Sequence, residues 1–166
     1  MFMESNLPVT MPALALRGLT VFPNMLLHFD VGREASIKAL DEAMTTGQPV
    51  FLVAQRDLSV ESPQLNDLYT IGTICNVRQI LRLPGDNVRV MVEGVSRGRM
   101  HSLPQTSPYL MAEVEEIRPE EPVKRSARTE ALIRQTYELF ERYIELAPKM
   151  TPDILLSVLA SEDPGY

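Results

Sequence analysis

Leu81-Arg82-Leu83-Pro84-Gly85-Asp86-Asn87-Val88-Arg89-Val90-Met91-Val92-Glu93-Gly94-Val95-Ser96-Arg97-Gly98-Arg99-Met100 is the stretch whose reading decides the fold. Pro84 to Asn87 is a run of turn formers, because proline pre-sets φ and the three residues after it tolerate tight or left-handed conformations. The flanking segments alternate in polarity. Val88, Val90 and Val92 take one face and Arg89, Met91 and Glu93 the other, the period-2 pattern of a half-buried strand. Upstream, Val77, Leu81 and Leu83 share a face against Asn76, Arg78 and Arg82. This predicts a β-hairpin in a sheet with one wet face, and such sheets are usually antiparallel.

Working back from the hairpin, Tyr69 and Gly72 introduce its first strand, and Gln55 to Asp67 is a polar stretch containing Ser62-Pro63. Loops of that length are often functional or mobile. Val50-Phe51-Leu52-Val53-Ala54 is a continuous apolar run and is expected to be the most deeply buried strand. Ala35, Ile37, Leu40, Ala43 and Met44 recur at near-helical spacing up to Gly47, which predicts a helix of about three turns. Met25 to Val31 is short and mostly apolar, consistent with a strand packed on both faces or with a buried helical turn. Val9 to Leu16 contains Pro12, which cannot donate to a ladder, so it reads as an edge strand.

Downstream, Met100 and Leu103, then Leu110, Ala112 and Val114, mark two more strands around a loop at Pro104 to Pro108. Ile117-Arg118-Pro119-Glu120-Glu121-Pro122 is a composition break that neither strand nor helix tolerates. The domain boundary is placed there: a β-rich part at 1–118, a linker at 119–122 and a helical part at 123–166. In the helical part Ile133, Tyr137, Phe140 and Ile144 form one stripe and Leu132, Leu139, Tyr143 and Leu146 an adjacent one. Thr151-Pro152-Asp153 reads as the capped start of a second helix carrying Ile154, Leu155, Val158 and Leu159, which stops at Ser161 to Gly165. Apolar faces this broad require cover from further chain or from another copy.

The 166 residues suit one domain with an appendage. With 45% apolar and 23% charged residues the composition is that of a globular protein. The net charge of −6 is spread evenly, −3 on residues 1–118 and −3 on the rest. No basic half offers itself to nucleic acid. One cysteine, Cys75, has no partner for a disulfide and reads as a small buried hydrophobe, in keeping with a reducing cytoplasm. Neither a secretory leader nor a membrane span is read in the chain, and a cytoplasmic location is expected.

Gly94-Val95-Ser96-Arg97-Gly98 matches the G-x-S-x-G nucleophile elbow, which must follow a strand and open a helix. Pro104 arrives too soon for that helix, and no acid separates the serine from His101, the only later histidine. A strand bend at two glycines explains the motif better. His28 and His101 lack metal-ligand spacing, and no phosphate-cradling glycine loop occurs. Glu113, Glu115 and Glu116 read as an outward strand face, and Arg82, Arg89, Arg97 and Arg99 as a solvated strip without the aromatics of an RNA platform. Neither catalytic residues nor a metal site is expected.

Pro12-Ala13-Leu14-Ala15-Leu16-Arg17, Val21-Phe22-Pro23, Val31-Gly32-Arg33-Glu34, Phe51-Leu52-Val53-Ala54-Gln55, Asp67-Leu68-Tyr69-Thr70-Ile71-Gly72-Thr73 and Leu83-Pro84-Gly85 through Val92-Glu93-Gly94 with Arg97-Gly98-Arg99 occur in this order. Together they resemble the N-terminal domain of bacterial Lon, the ATP-dependent protease. The resemblance implies an α+β fold, in which a small PUA-like, mostly antiparallel β-barrel or sheet with one helix precedes a helical subdomain that is truncated here. It implies that the ATPase module, with its ATP and magnesium, and the serine-lysine protease module lie outside this chain. The implied role is non-catalytic: recognising unfolded or damaged proteins, organising the oligomer through other copies of itself, and delivering polypeptide to the motor. The full-length family is implied to be hexameric, and the present chain could form a dimer.

Candidate contact residues under that resemblance are Phe22, Pro23, Met25 and Leu27, then Leu83 and Pro84 at the hairpin tip, and the Arg33-Glu34 pair at the helix start. For Met25 and Leu27, ordinary core packing is an equal alternative. Two other function classes stay open, a stand-alone interaction domain of the same fold and a PUA-like RNA-binding module.

Overall fold

In the computed structural model the described residues are 7–118, 126–147 and 152–160. The linker prolines, the Thr151 cap and the stop at Ser161 to Gly165 lie outside them. The chain divides into two compact units, one ending at Arg118 and the other beginning at Pro119.

Strands β1 (Val9–Leu16) and β3 (Val50–Ala54) are buried on both faces, which is why both read as unbroken apolar runs. Their odd-numbered residues, Met11, Ala13, Ala15, Phe51 and Val53, join Ile74, Met100, Leu110, Ala112 and Val114 in one core. The even-numbered ones, Leu14, Leu16, Val50 and Leu52, join Val90, Val92, Ala39, Leu40 and Ala43 in a second. Helix α1 (Glu34–Thr46) supplies Ala39, Leu40 and Ala43 to this second core. Gly47 ends it in the left-handed conformation that a helix C-terminus favours.

Strands β4 (Ile71–Arg82) and β5 (Val88–Gln105) form the predicted hairpin, and β6 (Leu110–Ile117) returns beside β5. The order β5-β4-β3-β1-β6 closes on itself through a β5–β6 ladder, so these five strands make a barrel, and β2 (Leu26–Val31) is appended to the outer side of β5. All ladders are antiparallel except β1–β3. The mostly antiparallel α+β architecture expected from the sequence is therefore present.

Three local expectations are corrected. β1 is an interior strand between β3 and β6, and the edge is β2, which is paired with β5 alone among the described residues. Pro12 is tolerated inside the sheet because the ladder to β3 begins only at Ala13↔Phe51, so the missing donor falls outside it. β2 is consequently not packed on both faces: Leu26, His28 and Asp30 are exposed, while Leu27, Phe29 and Val31 turn inward. Finally, Leu81 does not share a face with Val77. The β4–β5 register passes from Val77↔Val92 to Gln79↔Met91, leaving Arg78 as a bulge that moves Ile80 inward and Leu81 outward.

β5 is one strand of 18 residues where the sequence suggested two, and it runs through the second break in register. Ile74 pairs with Ser96 and Cys75 with Gly94, so Val95 is an extra residue. Before this bulge the even-numbered Val90 and Val92 face the α1-side core; after it Met100 faces the barrel interior. At the same place β5 exchanges β2 for β6 as its neighbour. The G-x-S-x-G match is thus the point where one strand changes both partner and core.

In the second unit, α2 (Ala127–Leu146) is capped by Ser126, whose Oγ accepts from Thr129 N at 3.1 Å. It contacts α3 (Pro152–Leu159). Ile133, Tyr137, Phe140 and Ile144 are half-buried, whereas Leu132, Leu139, Tyr143 and Leu146 stay exposed. The two stripes read from the sequence are therefore distinct, one partly covered and one open.

Candidate protein-interaction surface

Pro23 fixes φ at the second position of a turn from Phe22 to Met25, and Asn24 takes φ 63°, a left-handed value that asparagine tolerates. Met25 N donates to Phe22 O at 3.2 Å and closes the turn. The turn is then clamped to β5: Asn24 N donates to Gly94 O at 2.9 Å, and Gly94 N donates to Met25 O at 2.8 Å. A Cβ at Gly94 would lie 2.2 Å from Phe22 O, so only glycine admits this approach. Upstream, Thr73 Oγ1 donates to Val21 O at 2.5 Å, which pins the segment entering the turn.

The result is an aromatic side chain held outward on a braced backbone. Phe22 is 54% exposed and Leu26, just beyond the turn, 64% exposed. Pro23 is half-buried. Met25 and Leu27 are half-buried against the α1-side core, which favours packing over contact for these two. Leu26 was not among the candidates read from sequence. Its signal was present: two successive leucines in a strand cannot both face inward.

The other candidates lie elsewhere. Leu83 N donates to Asn87 O at 2.8 Å to close the hairpin, with Gly85 and Asp86 at positive φ. Leu83 is half-buried and Pro84 exposed. Because Leu26 registers with Glu93 and Val31 with Val88, this tip and the Phe22 turn sit at opposite ends of the β2–β5 ladder. At ~3.3 Å per residue they are separated by roughly 17 Å or more.

Arg33 and Glu34 do not act as a pair. Arg33 Nη2 donates to Gln55 Oε1 at 2.6 Å, and Glu34 binds Lys38 one turn on, at 2.6 Å, which lowers its carboxyl pKa. Gln55 is only 4% exposed. Its Nε2 donates to the carbonyls of Asp57 at 3.0 Å and Val60 at 2.8 Å, and Arg17 Nη2 also reaches Val60 O at 3.0 Å. The polar stretch after β3 is thus strapped down by a buried amide, and it contains a 3-10 turn at Leu65–Asp67.

On the wet face most arginines already hold carboxylates. Arg89 binds Asp30 through Nε at 2.6 Å and Nη2 at 3.0 Å, and this hydrogen bonding holds the Asp30 carboxyl below its usual range. Arg78 binds Glu93, and Arg82 reaches Asp41 at 3.2 Å. A groove of about 160 Å³ opens between His28, Gln79, Leu81, Arg89 and Met91.

Ser96 sits inside β5, opposite Ile74, with its Oγ buried and unpartnered. His101 Nε2 lies 2.8 Å from Glu115 Oε2. Cys75 is buried, which pushes its thiol up to about 12 and makes it unreactive at neutral pH. Among the described residues no group of three or more His, Cys, Asp or Glu side chains could hold a metal ion, and no helix is long and apolar enough to cross a membrane.

The fold has close counterparts among solved structures. The N-terminal domain of Mycobacterium avium complex Lon protease superposes with a TM-score of 0.71 at 20% identity, covering 94% of this chain and 77% of that one. The Lon N-terminal domain protein from Xanthomonas campestris gives 0.59 at 16% identity, covering 94% and 92%. The class so defined is the Lon N-terminal domain fold. Residues 10–166 match the family model of the ATP-dependent protease La (LON) substrate-binding domain, and the chain belongs to that family. It is 44% identical over 156 residues to the Lon protease of Clostridioides difficile, and 40% identical over 156 residues to that of Desulforamulus reducens. These alignments take in 92% and 94% of this chain but only 20% and 19% of those proteins, so it spans about a fifth of their length.

Proposed function

We propose that this substrate-binding domain engages unfolded or damaged polypeptides in the cytoplasm and hands them to an ATP-driven protease, without catalysis or a cofactor of its own. ATP and magnesium belong, on this reading, to the ATPase module of the longer relatives. The observation that carries the reading is Phe22, exposed beside Leu26 on a turn locked to Gly94. An apolar group presented on rigid backbone binds varied unfolded segments with little ordering cost on its own side.

Phe22 and Pro23 are the primary contacts, and Leu83-Pro84 forms a separate second contact at the far end of the ladder. The open stripe of Leu132, Leu139, Tyr143 and Leu146 on α2 is the surface that organises the oligomer. Engagement of Arg78, Arg82 and Arg89 by carboxylates weighs against an RNA platform.

Titration of the ¹⁵N-labelled protein with reduced, carboxymethylated α-lactalbumin tests the reading by NMR. Shifts localised at Phe22 to Leu26 are expected. Uniform or absent shifts would remove the support for substrate binding.

A further inference from the structure

Strand β2 is the outer edge of the sheet, and the alternation of its backbone can be read from one hydrogen bond. Antiparallel ladders alternate residues that exchange bonds with the neighbour and residues that face away. Gly94 N donates to Met25 O. The residues in step with Met25, which are Leu27, Phe29 and Val31, therefore turn their N–H and C=O groups toward β5. Those of Leu26, His28 and Asp30 point outward along the edge.

Exposed edges are normally blunted by proline, lysine or a bulge, because they template pairing with other chains. β2 has none of these. Its sequence is Leu-Leu-His-Phe-Asp-Val, and its register with β5 runs without a shift from Leu26↔Glu93 to Val31↔Val88. Its single carboxylate, Asp30, is occupied by Arg89. The open edge also begins beside the exposed Leu26 and Phe22.

We propose that an unfolded polypeptide is held as an added β-strand along the outer edge of β2, through main-chain hydrogen bonds to Leu26, His28 and Asp30. This deepens the substrate-binding reading and rests on it. The occupant's chemistry follows from the donors and acceptors: only an extended polypeptide repeats N–H and C=O groups at the spacing of a strand, and only an unfolded one has them free. Such pairing reads backbone instead of side chains, so it tolerates many sequences, while Phe22 and Leu26 add apolar contact at one end. A second copy fits less well. Pairing two such edges about His28 sets Leu26 opposite Asp30 twice, an apolar side chain against a charged one.

Amide hydrogen exchange of the ¹⁵N-labelled protein, with and without saturating reduced, carboxymethylated α-lactalbumin, tests the proposal. The Leu26, His28 and Asp30 amides are expected to slow by about tenfold or more, while Leu27, Phe29 and Val31, already bonded to β5, change by less than about twofold. His28→Pro removes one outward N–H without touching the β5 ladder and should weaken binding about tenfold, whereas His28→Ala, which keeps the N–H, should not. Binding without slowing at the three outward amides overturns the edge while leaving substrate recognition standing. No binding by the wild-type protein overturns both. Slowing of the same amides without the probe, accompanied by doubled mass in solution, gives the edge to a second copy and overturns the proposal. The wild-type exchange pattern decides the matter even if His28→Pro fails to fold.

Discussion

Gly72 and Gly98 stand opposite one another across the β4–β5 ladder, and the ring of Phe51 fills the space their side chains would take. A Cβ on Gly98 would lie 2.5 Å from Val114 Cγ1 and 3.0 Å from Phe51 Cε2; on Gly72 it would lie 2.5 Å from Leu52 O and 2.6 Å from Phe51 Cζ. Each glycine in a strand costs roughly 0.5–1 kcal/mol relative to alanine. Burying a phenylalanine completely returns about 1.5–3 kcal/mol, so the exchange favours the ring.

Gly98→Ala should therefore destabilise the protein by about 1–3 kcal/mol in urea unfolding, the usual range for overpacking. Phe51→Leu in the same molecule should relieve part of that, giving a measurable coupling in a double-mutant cycle. For Gly72→Ala the obstacle includes the Leu52 carbonyl, which a smaller residue 51 does not move. Absence of coupling between Phe51 and both glycines would contradict this account of the barrel interior.

Gly94→Ala is expected to push the Phe22–Met25 turn off β5, since the new methyl collides with Phe22 O and Pro23 Cα. The amides of Asn24 and Gly94, which bond across that junction, should show the largest chemical-shift changes in the variant. Binding of an unfolded polypeptide should weaken while the rest of the spectrum keeps its dispersion. An unchanged Asn24 amide would mean that the clamp is not what holds the turn.

Gln55→Ala leaves the Arg33 guanidinium and the Asp57 carbonyl without their shared partner, although Val60 O keeps Arg17. A loss of about 0.5–1.5 kcal/mol per lost bond is expected, because Arg33 is half-buried and Asp57 exposed, so water can take the vacated places. Limited proteolysis should then cut faster between residues 56 and 64, with fragment masses showing where. Cutting unchanged from wild type would show that the strap is held by other contacts.

The Asp30–Arg89 pair predicts a pH signature. The folded carboxyl pKa is depressed, chiefly by the hydrogen bond from Arg89, so the pair's contribution is present above the unfolded value of about 3.9 and is lost as pH falls through the folded value. Melting temperatures of wild type and Asp30→Asn should differ at neutral pH and converge as the pH falls through the depressed folded value of the carboxyl. Both side chains are about half exposed, so the gap should be small and should shrink with added salt. A gap that widened in acid would reverse the assignment.

Much of this architecture is legible in the sequence because its signals are periodic. β3 is an apolar run bounded by polar residues, α1 repeats at helical spacing up to a glycine stop, and β6 alternates Leu110, Ala112 and Val114 inward. The misplacements share one cause, the neighbourhood of a strand, which its own residues do not encode. Pro12 suggested an edge, yet a ladder that starts one residue later makes it harmless. Met25 to Val31 reads as a strand packed on both faces or as a buried helical turn, yet β2 pairs with β5 alone among the described residues. The bulge at Arg78 inverts a period-2 reading without leaving a mark in composition, whereas the one at Val95 falls beside Gly94, where two glycines suggested a bend.

The site divides in the same way. Phe22, Pro23, Leu83 and Pro84 came from family resemblance, and three of the four carry exposed or tip positions that no periodicity would have picked out. Gln55 was invisible as a determinant, because a glutamine entering a polar loop reads as solvent-facing until the carbonyls around it are seen.

Closure of the barrel joins Val9 to Val114, residues about a hundred positions apart, and contacts that distant in sequence are the slow part of folding. β1 is also one of the most deeply buried strands, so its interior face has no complete cover until β6 is in place. A ribosome releasing this chain must therefore expose Met11, Ala13 and Ala15 while some hundred residues are still being made. This substrate-binding domain thus passes through a stage of synthesis in which its own first strand is an unfolded apolar segment.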